Sequence, residues 1–172
     1  MAPLQIHRLC QEAAPKILET LQPHLIIAIG GGGYVPARIL RSFLKRSGGP
    51  NIPIQAIGLS LYESLPTKNS NDPASSAAST ASSSGDADDG AVEVPGTKVT
   101  RTQWLDMSAL GEMENLVGKR VLIVDEVDDT RTTLDYAVRE LQKDVEAARL
   151  RIGSTEATKF SIFVLHVSDR RP

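Results

Sequence analysis

The chain has 172 residues, a formal net charge of −2 and a single cysteine, Cys10. This length allows one domain with a substantial core, and the nearly balanced charge excludes a general attraction for nucleic acid. A lone cysteine excludes an internal disulfide and a cysteine-based metal site, which fits a reducing compartment. Because the N-terminus lacks a secretory pattern and no apolar run is long enough for a bilayer, we expect a cytoplasmic protein without membrane contact.

Hydrophobic periodicity along the chain alternates between the helical and the strand patterns. In chain order it predicts a helix over 4–21 that Pro15 kinks or divides, a strand over 25–29, a glycine loop over 30–33, a helix over 35–46, strands over 54–61 and 119–124, a helix over 134–148 and a strand over 160–166. Such alternation is typical of an α/β fold with a central parallel sheet flanked by helices. Ligands bind such sheets at the carboxyl ends of the strands.

One internal segment has a different composition, because residues 70–90 are mostly Ser, Ala, Asp and Gly. A segment of this kind cannot bury enough apolar surface to order itself. We therefore interpret residues 67–95 as a disordered insertion in a surface loop, which costs little free energy. Since the strand pattern continues on both sides, residues 1–172 are predicted to form a single domain.

The strongest functional signal is the stretch 121–133. Four apolar residues predict a buried strand, Asp125 and Glu126 follow at its carboxyl end, and a short polar loop leads into a helix. The start of a helix presents backbone N–H groups and the positive end of the helix dipole, which favour a phosphate. The two carboxylates can accept hydrogen bonds from sugar hydroxyls. The pattern therefore predicts a site for a ribose that carries a 5′-phosphate.

Simpler or different interpretations of this stretch are available. The simplest is an ordinary buried strand that ends in a solvated acidic turn. A nucleophile loop of the haloacid dehalogenase type requires a second Asp two places after the first, where this chain has Val127. The glycine- and lysine-containing motif of the P-loop nucleotide-binding proteins is absent from the sequence.

A second candidate anion site is the glycine run over 30–33, between a strand and a helix. Glycines let backbone amides approach a charged ligand closely. By itself such a run is equally consistent with a tight turn. The glycine run becomes a stronger indication of an anion site when it is taken together with the stretch 121–133, because the two loops are expected to lie side by side in the sheet.

The stretch 121–133 resembles the phosphoribosyl pyrophosphate (PRPP) signature of the type I phosphoribosyltransferases, which consists of four apolar residues, an acidic pair and a D-T-x-x-T loop. Nearly the whole chain outside 67–95 is similar to the fungal purine salvage phosphoribosyltransferases, a group of xanthine and hypoxanthine-guanine enzymes. The segments that carry this similarity are 51–63, 101–106, 121–134 and 162–166, and the first two are somewhat more similar to the xanthine branch. The resemblance implies a type I phosphoribosyltransferase fold. It also implies transfer of the 5-phosphoribosyl group of PRPP to xanthine, hypoxanthine or guanine.

The resemblance implies roles for individual residues of this stretch. Asp125 and Glu126 bind the ribose hydroxyls and stabilise the positive charge that develops on the sugar. Asp129 faces the purine N7 as a general base, and Asp128 orients the loop. The residues implied to bind the 5′-phosphate are Asp129, Thr130, Arg131, Thr132 and Thr133. Arg131 stands where many relatives have Gly, and it either adds a cation near the phosphate or points outward.

Pyrophosphate and Mg²⁺ complete the implied site. The implied pyrophosphate ligands are Gly31, Gly32, Gly33 and Arg38, of which the last is alternatively a solvated helix residue. Mg²⁺ is the implied cofactor and arrives bound to PRPP, because it prefers hard oxygen ligands. Relatives close a mobile loop over the site. The candidate loop residues are Lys98, Arg101, Thr102 and Gln103, each alternatively an exposed strand residue, and Trp104 is expected to anchor the core.

Family members continue past the last predicted strand with an aromatic residue that stacks on the purine and a Lys that reads its exocyclic oxygen. Neither is found in this sequence, which we interpret as a missing base-binding segment. Two functions remain open: a purine phosphoribosyltransferase, and a non-catalytic protein that binds PRPP or a nucleotide. The acidic pair together with Asp129 favours the enzyme. The expected partners are PRPP, a purine base and a second copy of the chain, because relatives are usually dimers or larger.

Overall fold

The computed structural model describes residues 3–45, 51–61, 99–129 and 131–167. In chain order its elements are α1 (Pro3–Thr20), β1 (Leu25–Ile29), α2 (Gly30–Leu44), β2 (Ile54–Leu61), β3 (Val99–Gln103), α3 (Met107–Leu110), a 3₁₀ helix (Met113–Leu116), β4 (Arg120–Asp128), α4 (Thr132–Ile152) and β5 (Lys159–Val167). The predicted insertion over 67–95 lies outside the described residues. None of the described helices is long and apolar enough to cross a bilayer.

The described strands form one sheet in the order β3-β2-β1-β4-β5. β1 pairs in parallel with both β2 and β4, and β4 pairs in parallel with β5. The predicted α/β fold is therefore confirmed. β3 is not among the elements that periodicity predicts, although an exposed strand is the alternative interpretation of Arg101, Thr102 and Gln103. It runs antiparallel to β2 at one edge of the sheet. Because β2 and β3 follow each other in sequence, an antiparallel pair needs no crossover connection between them.

The core is divided between the two faces of the sheet. On one face, Ile27 and Ile123 pack with Leu141 of α4. On the other, Ile26 and Leu122 pack with residues of α1 and α2. All five residues of β1 are buried, as is typical of a strand covered by helices on both faces. This arrangement leaves the two ends of the sheet as the places where polar residues can gather.

Several element boundaries differ from the sequence prediction. β4 continues four residues beyond the predicted end at 124, because its pairing with β5 extends from Arg120 to Asp128. α1 passes through Pro15 as one helix, so the proline does not divide it. The predicted glycine loop over 30–33 is wrong, since these residues form the first turn of α2. Gly30 has a φ of +57° and reverses the chain directly from strand to helix, so that no loop is needed.

The edge strand β3 is tied to α4 by a group of charged and aromatic side chains. The guanidinium of Arg101 lies over the ring of Trp104, 4.1 Å from its centroid. Arg101 also forms ion pairs with Glu140 and Asp144 of α4. The indole N–H of Trp104 donates a hydrogen bond of 2.9 Å to Asp144. Trp104 packs against the core, as predicted.

Replacing Arg101 by Ala should lower the free energy of unfolding by about 1–2 kcal/mol, because it removes a cation–π contact and ion pairs that are partly shielded from water. The Arg101 side chain is 31% exposed. Arg139 is the matched control, because its side chain is 71% exposed and pairs with Asp135 on the surface of α4. Arg139→Ala should cost no more than about 0.5 kcal/mol. Equal losses for the two variants in urea unfolding would show that the Arg101 contacts do not stabilise the fold.

Candidate active site

Two strand-to-helix connections lie side by side at one edge of the sheet. β1 leads into α2 and β4 leads into α4, and because β1 and β4 are parallel neighbours their carboxyl ends meet. The connections also touch each other, since a Cβ added at Gly32 would lie 3.0 Å from the Glu126 carboxylate. The glycine run and the acidic pair, which the sequence places almost a hundred residues apart, are thus brought together.

The glycine turn offers unshielded backbone amides. The residue before α2 is Ile29, whose side chain provides no cap, and the first turn contains no acidic residue. The first amides of a helix have no partner within it and carry the positive end of its dipole, so they favour an anion. Nothing beyond the helix's own nearby backbone lies within 4 Å of a Cβ added at Gly31, so the space on that side of the residue is open. Arg38 is exposed on α2, two turns further along the helix.

Gly33 serves a different purpose, because it sets the distance between α2 and β4. A Cβ added at Gly33 would collide with the carbonyl oxygen of Val124 and lie 3.3 Å from the Cα of Asp125. A residue without a side chain is therefore required for the helix to approach the strand this closely. That approach brings the start of α2 to the acidic pair.

The first carboxylate of the acidic pair has a perturbed pKa. Burial, together with the charges of Asp128 and Glu126, raises the pKa of Asp125 to about 6. A hydrogen bond of 2.7 Å that Asp125 accepts from the backbone N–H of Glu126 opposes the shift. A carboxylate that is partly removed from water in this way gains most from donors supplied by a ligand, such as the hydroxyls of a sugar.

A cavity of about 180 Å³ lies between the end of β4 and the start of α4. Its lining residues are Asp125, Val127, Asp128, Asp129, Arg131, Thr133 and Leu134. It therefore contains most of the residues that the sequence predicts for the ribose 5-phosphate. Thr132 is the first residue of α4, and Thr130 lies outside the described residues. Nothing in the sequence pattern marks Val127 as part of this cavity, because an apolar residue after a buried strand is normally expected to pack inward.

Arg131 has an unusual backbone conformation at the start of α4. Its φ is +61°, in the left-handed region, which costs about 1–2 kcal/mol for a residue other than glycine. Its side chain is 78% exposed, and its Nε lies 3.6 Å from a carboxylate oxygen of Asp128. The Asp128 side chain is only 10% exposed. Its other oxygen, Oδ1, is buried without a hydrogen-bond partner among the residues that the structure describes.

The predicted loop residues on β3 are not brought to this cavity. Arg101 is occupied by its contacts with Trp104 and α4, and Gln103 donates a hydrogen bond to the carbonyl of Ala56. Thr102 is exposed, and Lys98 lies outside the described residues. A role of these four residues in binding pyrophosphate stays a prediction.

A divalent cation such as Mg²⁺ requires several oxygen ligands. The described residues contain no group of three or more His, Cys, Asp or Glu side chains placed to hold a metal ion. The acidic pair Asp125 and Glu126, of which Asp125 lines the cavity together with Asp128 and Asp129, offers hard oxygen ligands of the kind that Mg²⁺ prefers. Two such groups suit a Mg²⁺ that brings further oxygen ligands with its substrate.

Comparisons with known proteins agree with this geometry. The family model of the phosphoribosyl transferase domain matches residues 3–155. The chain belongs to this family. It is 57% identical over 162 residues to the hypoxanthine-guanine phosphoribosyltransferase of Schizosaccharomyces pombe, covering 94% of this chain and 68% of that protein. It is 52% identical over 168 residues to xanthine phosphoribosyltransferase 1 of Saccharomyces cerevisiae, covering 96% of this chain and 70% of that protein.

Solved structures show the same fold. A Neisseria gonorrhoeae protein of unassigned function with bound ppGpp superimposes with a TM-score of 0.61 at 28% identity, covering 100% of this chain and 74% of that one. The purine phosphoribosyltransferase of Pyrococcus horikoshii superimposes with a TM-score of 0.59 at 23% identity, covering 98% and 80% of the two chains. The family resemblance found in the sequence is therefore confirmed.

Replacing Gly33 by Ala should destabilise the protein by about 1–3 kcal/mol, because the new methyl group overlaps the backbone of β4. Gly31→Ala is the matched control in the same helical turn. Open space surrounds that position, and Ala favours a helix over Gly, so stability should stay the same or rise by up to about 1 kcal/mol. Thermal unfolding of both variants measures the difference. Similar melting temperatures would contradict the close packing of α2 on β4.

Replacing Asp125 by Asn should stabilise the protein at pH 7.5 by about 1–2 kcal/mol, a value reduced for the partial exposure of the group. The folded protein holds the proton of Asp125 up to a pKa of about 6, whereas the unfolded chain releases it near pH 4. The stability contributed by protonation is therefore complete below pH 4 and is lost as the pH rises through 6. The gain from Asn should accordingly vanish at pH 4.

Asp106 provides a control for this measurement, because its pKa is shifted in the direction opposite to that of Asp125. Hydrogen bonds from Ser108 lower the pKa of Asp106, so its ionised form stabilises the fold. Asp106→Asn should not stabilise the protein at pH 7.5. Urea unfolding from pH 4 to 7.5 gives both profiles, and a gain from Asp125→Asn that does not depend on pH would contradict the raised pKa.

Proposed function

We propose that this chain is a purine salvage phosphoribosyltransferase, which transfers the 5-phosphoribosyl group of PRPP to xanthine, hypoxanthine or guanine. The products are a nucleoside 5′-monophosphate and pyrophosphate. The observation that carries the proposal is the close approach of the start of α2 to the end of β4, where the pair of carboxylates lies. The relatives at 50–57% identity are named as hypoxanthine-guanine and xanthine phosphoribosyltransferases. A non-catalytic PRPP-binding protein has no comparable support.

In this proposal the two anionic ends of PRPP bind at the starts of two different helices. The 5′-phosphate binds at the start of α4, through the amides and hydroxyls of residues 129–133. The pyrophosphate binds at the start of α2, through the amides of Gly31, Gly32 and Gly33. The ribose lies between them and donates its hydroxyl hydrogens to Asp125 and Glu126. The separation of the two anion sites by a carboxylate pair matches the order of groups in the substrate.

The proposed chemistry is a substitution at the anomeric carbon of the ribose. A purine nitrogen forms the new bond to this carbon as the bond to pyrophosphate breaks, and the electron pair leaves with the pyrophosphate. Positive charge develops on the sugar during the exchange, and Asp125 and Glu126 stabilise it. Asp129 accepts the proton that the purine nitrogen loses. Asp129 is exposed at the mouth of the cavity, where a base can reach it.

Mg²⁺ is proposed to accompany PRPP, and when bound it neutralises charge on the leaving pyrophosphate. The carboxylates of Asp125 and Glu126 would hold it as hard oxygen ligands, together with oxygens that PRPP would supply. Arg38 and the β3 residues remain candidates for further contacts with pyrophosphate. A homodimer and a cytoplasmic location stay predictions of the sequence.

The base that the enzyme accepts is decided by nucleotide formation. The purified chain with Mg²⁺ and PRPP is offered xanthine, hypoxanthine and guanine in separate reactions. A nucleotide formed from one of them identifies the substrate. Folded protein that binds PRPP but forms no nucleotide from any of the three would refute the proposed transfer activity.

Asp129→Asn should lower kcat by at least about 100-fold while the Kd for Mg²⁺–PRPP changes little, because Asn retains the size and polarity of Asp but cannot accept a proton. Product formation measures the first quantity and titration calorimetry the second. A variant that keeps its kcat would show that Asp129 is not the general base. A variant that loses PRPP binding as well would assign Asp129 to the substrate site instead.

A further inference from the structure

Asp128 and Arg131 occupy the two ends of the turn between β4 and α4. Asp128 is the last residue of β4, and its backbone is held by pairing with Val167 of β5. Arg131 is the residue directly before α4. The ion pair between their side chains therefore connects a fixed strand end to the start of the helix. The turn that it bridges is the one proposed to hold the 5′-phosphate.

Asp128 occupies a position that is unfavourable for a carboxylate unless its charge interacts favourably with another group. Its side chain is 10% exposed, and Oδ1 is buried without a partner in the described part of the chain. A buried carboxylate costs free energy when its oxygens lack donors. Its negative charge also lines the cavity in which a phosphate is proposed to bind. An apolar side chain would avoid both penalties, so the carboxylate needs a compensating interaction.

The backbone conformation of Arg131 is also energetically unfavourable. A φ of +61° is unfavourable for any residue that carries a Cβ, and the side chain of Arg131 provides no helix cap. Glycine adopts this conformation without strain. In a residue other than glycine it persists only when neighbouring contacts hold it. The described contact that fits this need is the ion pair with Asp128.

We propose that Asp128 is a positioning residue for the phosphate turn: its carboxylate holds Arg131 in the left-handed conformation that starts α4, and the ion pair thereby replaces a glycine. With Arg131 held in this way, the first amides of α4 face the cavity. The part of the inference that concerns phosphate rests on the proposed function. The part that concerns the backbone of Arg131 does not.

The direction in which the Kd for Mg²⁺–PRPP changes distinguishes this role from a purely electrostatic effect. Asp128→Asn removes a negative charge beside the proposed phosphate site, so charge alone would make PRPP bind more tightly. If Asp128 acts by holding Arg131, the same variant should raise the Kd for Mg²⁺–PRPP about five- to tenfold, as expected for loss of a charged contact. Asp135→Asn is the matched control. It removes the same charge from the first turn of α4, at a side chain that pairs with Arg139.

The dependence on Arg131 is tested by repeating the substitution in a second background. In an Arg131→Gly protein the left-handed conformation needs no support, so adding Asp128→Asn should change the Kd by less than twofold. Calorimetric titration with Mg²⁺–PRPP reads these values without catalysis. Tighter binding by Asp128→Asn, no change in its Kd, or the same weakening in both backgrounds would each overturn the inference.

Unfolding measurements test the backbone part without any ligand. Asp128→Asn should lower the melting temperature when Arg131 is present and leave it within about 1 °C when Arg131→Gly is also present. If Asp128→Asn alone fails to fold, recovery of the folded protein by Arg131→Gly supports the inference, and failure in both backgrounds overturns it. A chain that binds no PRPP at all would refute the proposed function, yet this unfolding comparison would still decide the role of Asp128.

Discussion

The contact between Gly33 and the backbone of β4 is the constraint on which the candidate site depends. Two parallel strands can end side by side without their following helices converging, because each helix can tilt away from the sheet. Here the start of α2 lies so close to β4 that a single methyl group at Gly33 would meet the carbonyl of Val124. The same closeness places Gly32 against the Glu126 carboxylate. One residue without a side chain thus joins the two halves of the site.

With the start of α2 against the end of β4, electrostatics determines what can bind at this edge of the sheet. The starts of α2 and α4 offer the positive ends of their helix dipoles, while Asp125, Glu126 and Asp128 bring negative charge to the same edge. Burial raises the pKa of Asp125 to about 6, so protonation removes part of its negative charge as the pH falls towards that value. Asp128 is balanced by Arg131. The acidic residues therefore repel an anionic substrate less than their number suggests, and a ligand with anionic ends and a hydroxylated centre suits the edge.

Most of the fold follows from local sequence signals, and the exceptions have physical causes. β1 and β2 lie where their apolar runs, bounded by Pro and Gly, predict them. β3 was missed because Val99–Gln103 is a largely polar edge strand, with little apolar periodicity to reveal it. β4 was ended too early because its last residues are charged, although their pairing with β5 continues. The glycines of α2 are helical against their propensity, because packing on β4 outweighs it.

The candidate site was predictable only in part, since sequence gives residue types but not backbone conformations. The acidic pair and the glycine run could be recognised and placed at one edge of the sheet. The left-handed φ of Arg131 could not, because nothing in the sequence shows how the turn is closed, and the pairing of Asp128 with Arg131 depends on that conformation. In the proposed function these residues bind phosphate and ribose through amides and carboxylates, and none of them is assigned to the purine ring. Relatives named for xanthine and for hypoxanthine and guanine match the chain at comparable identity, which fits a proposal in which other residues choose the base.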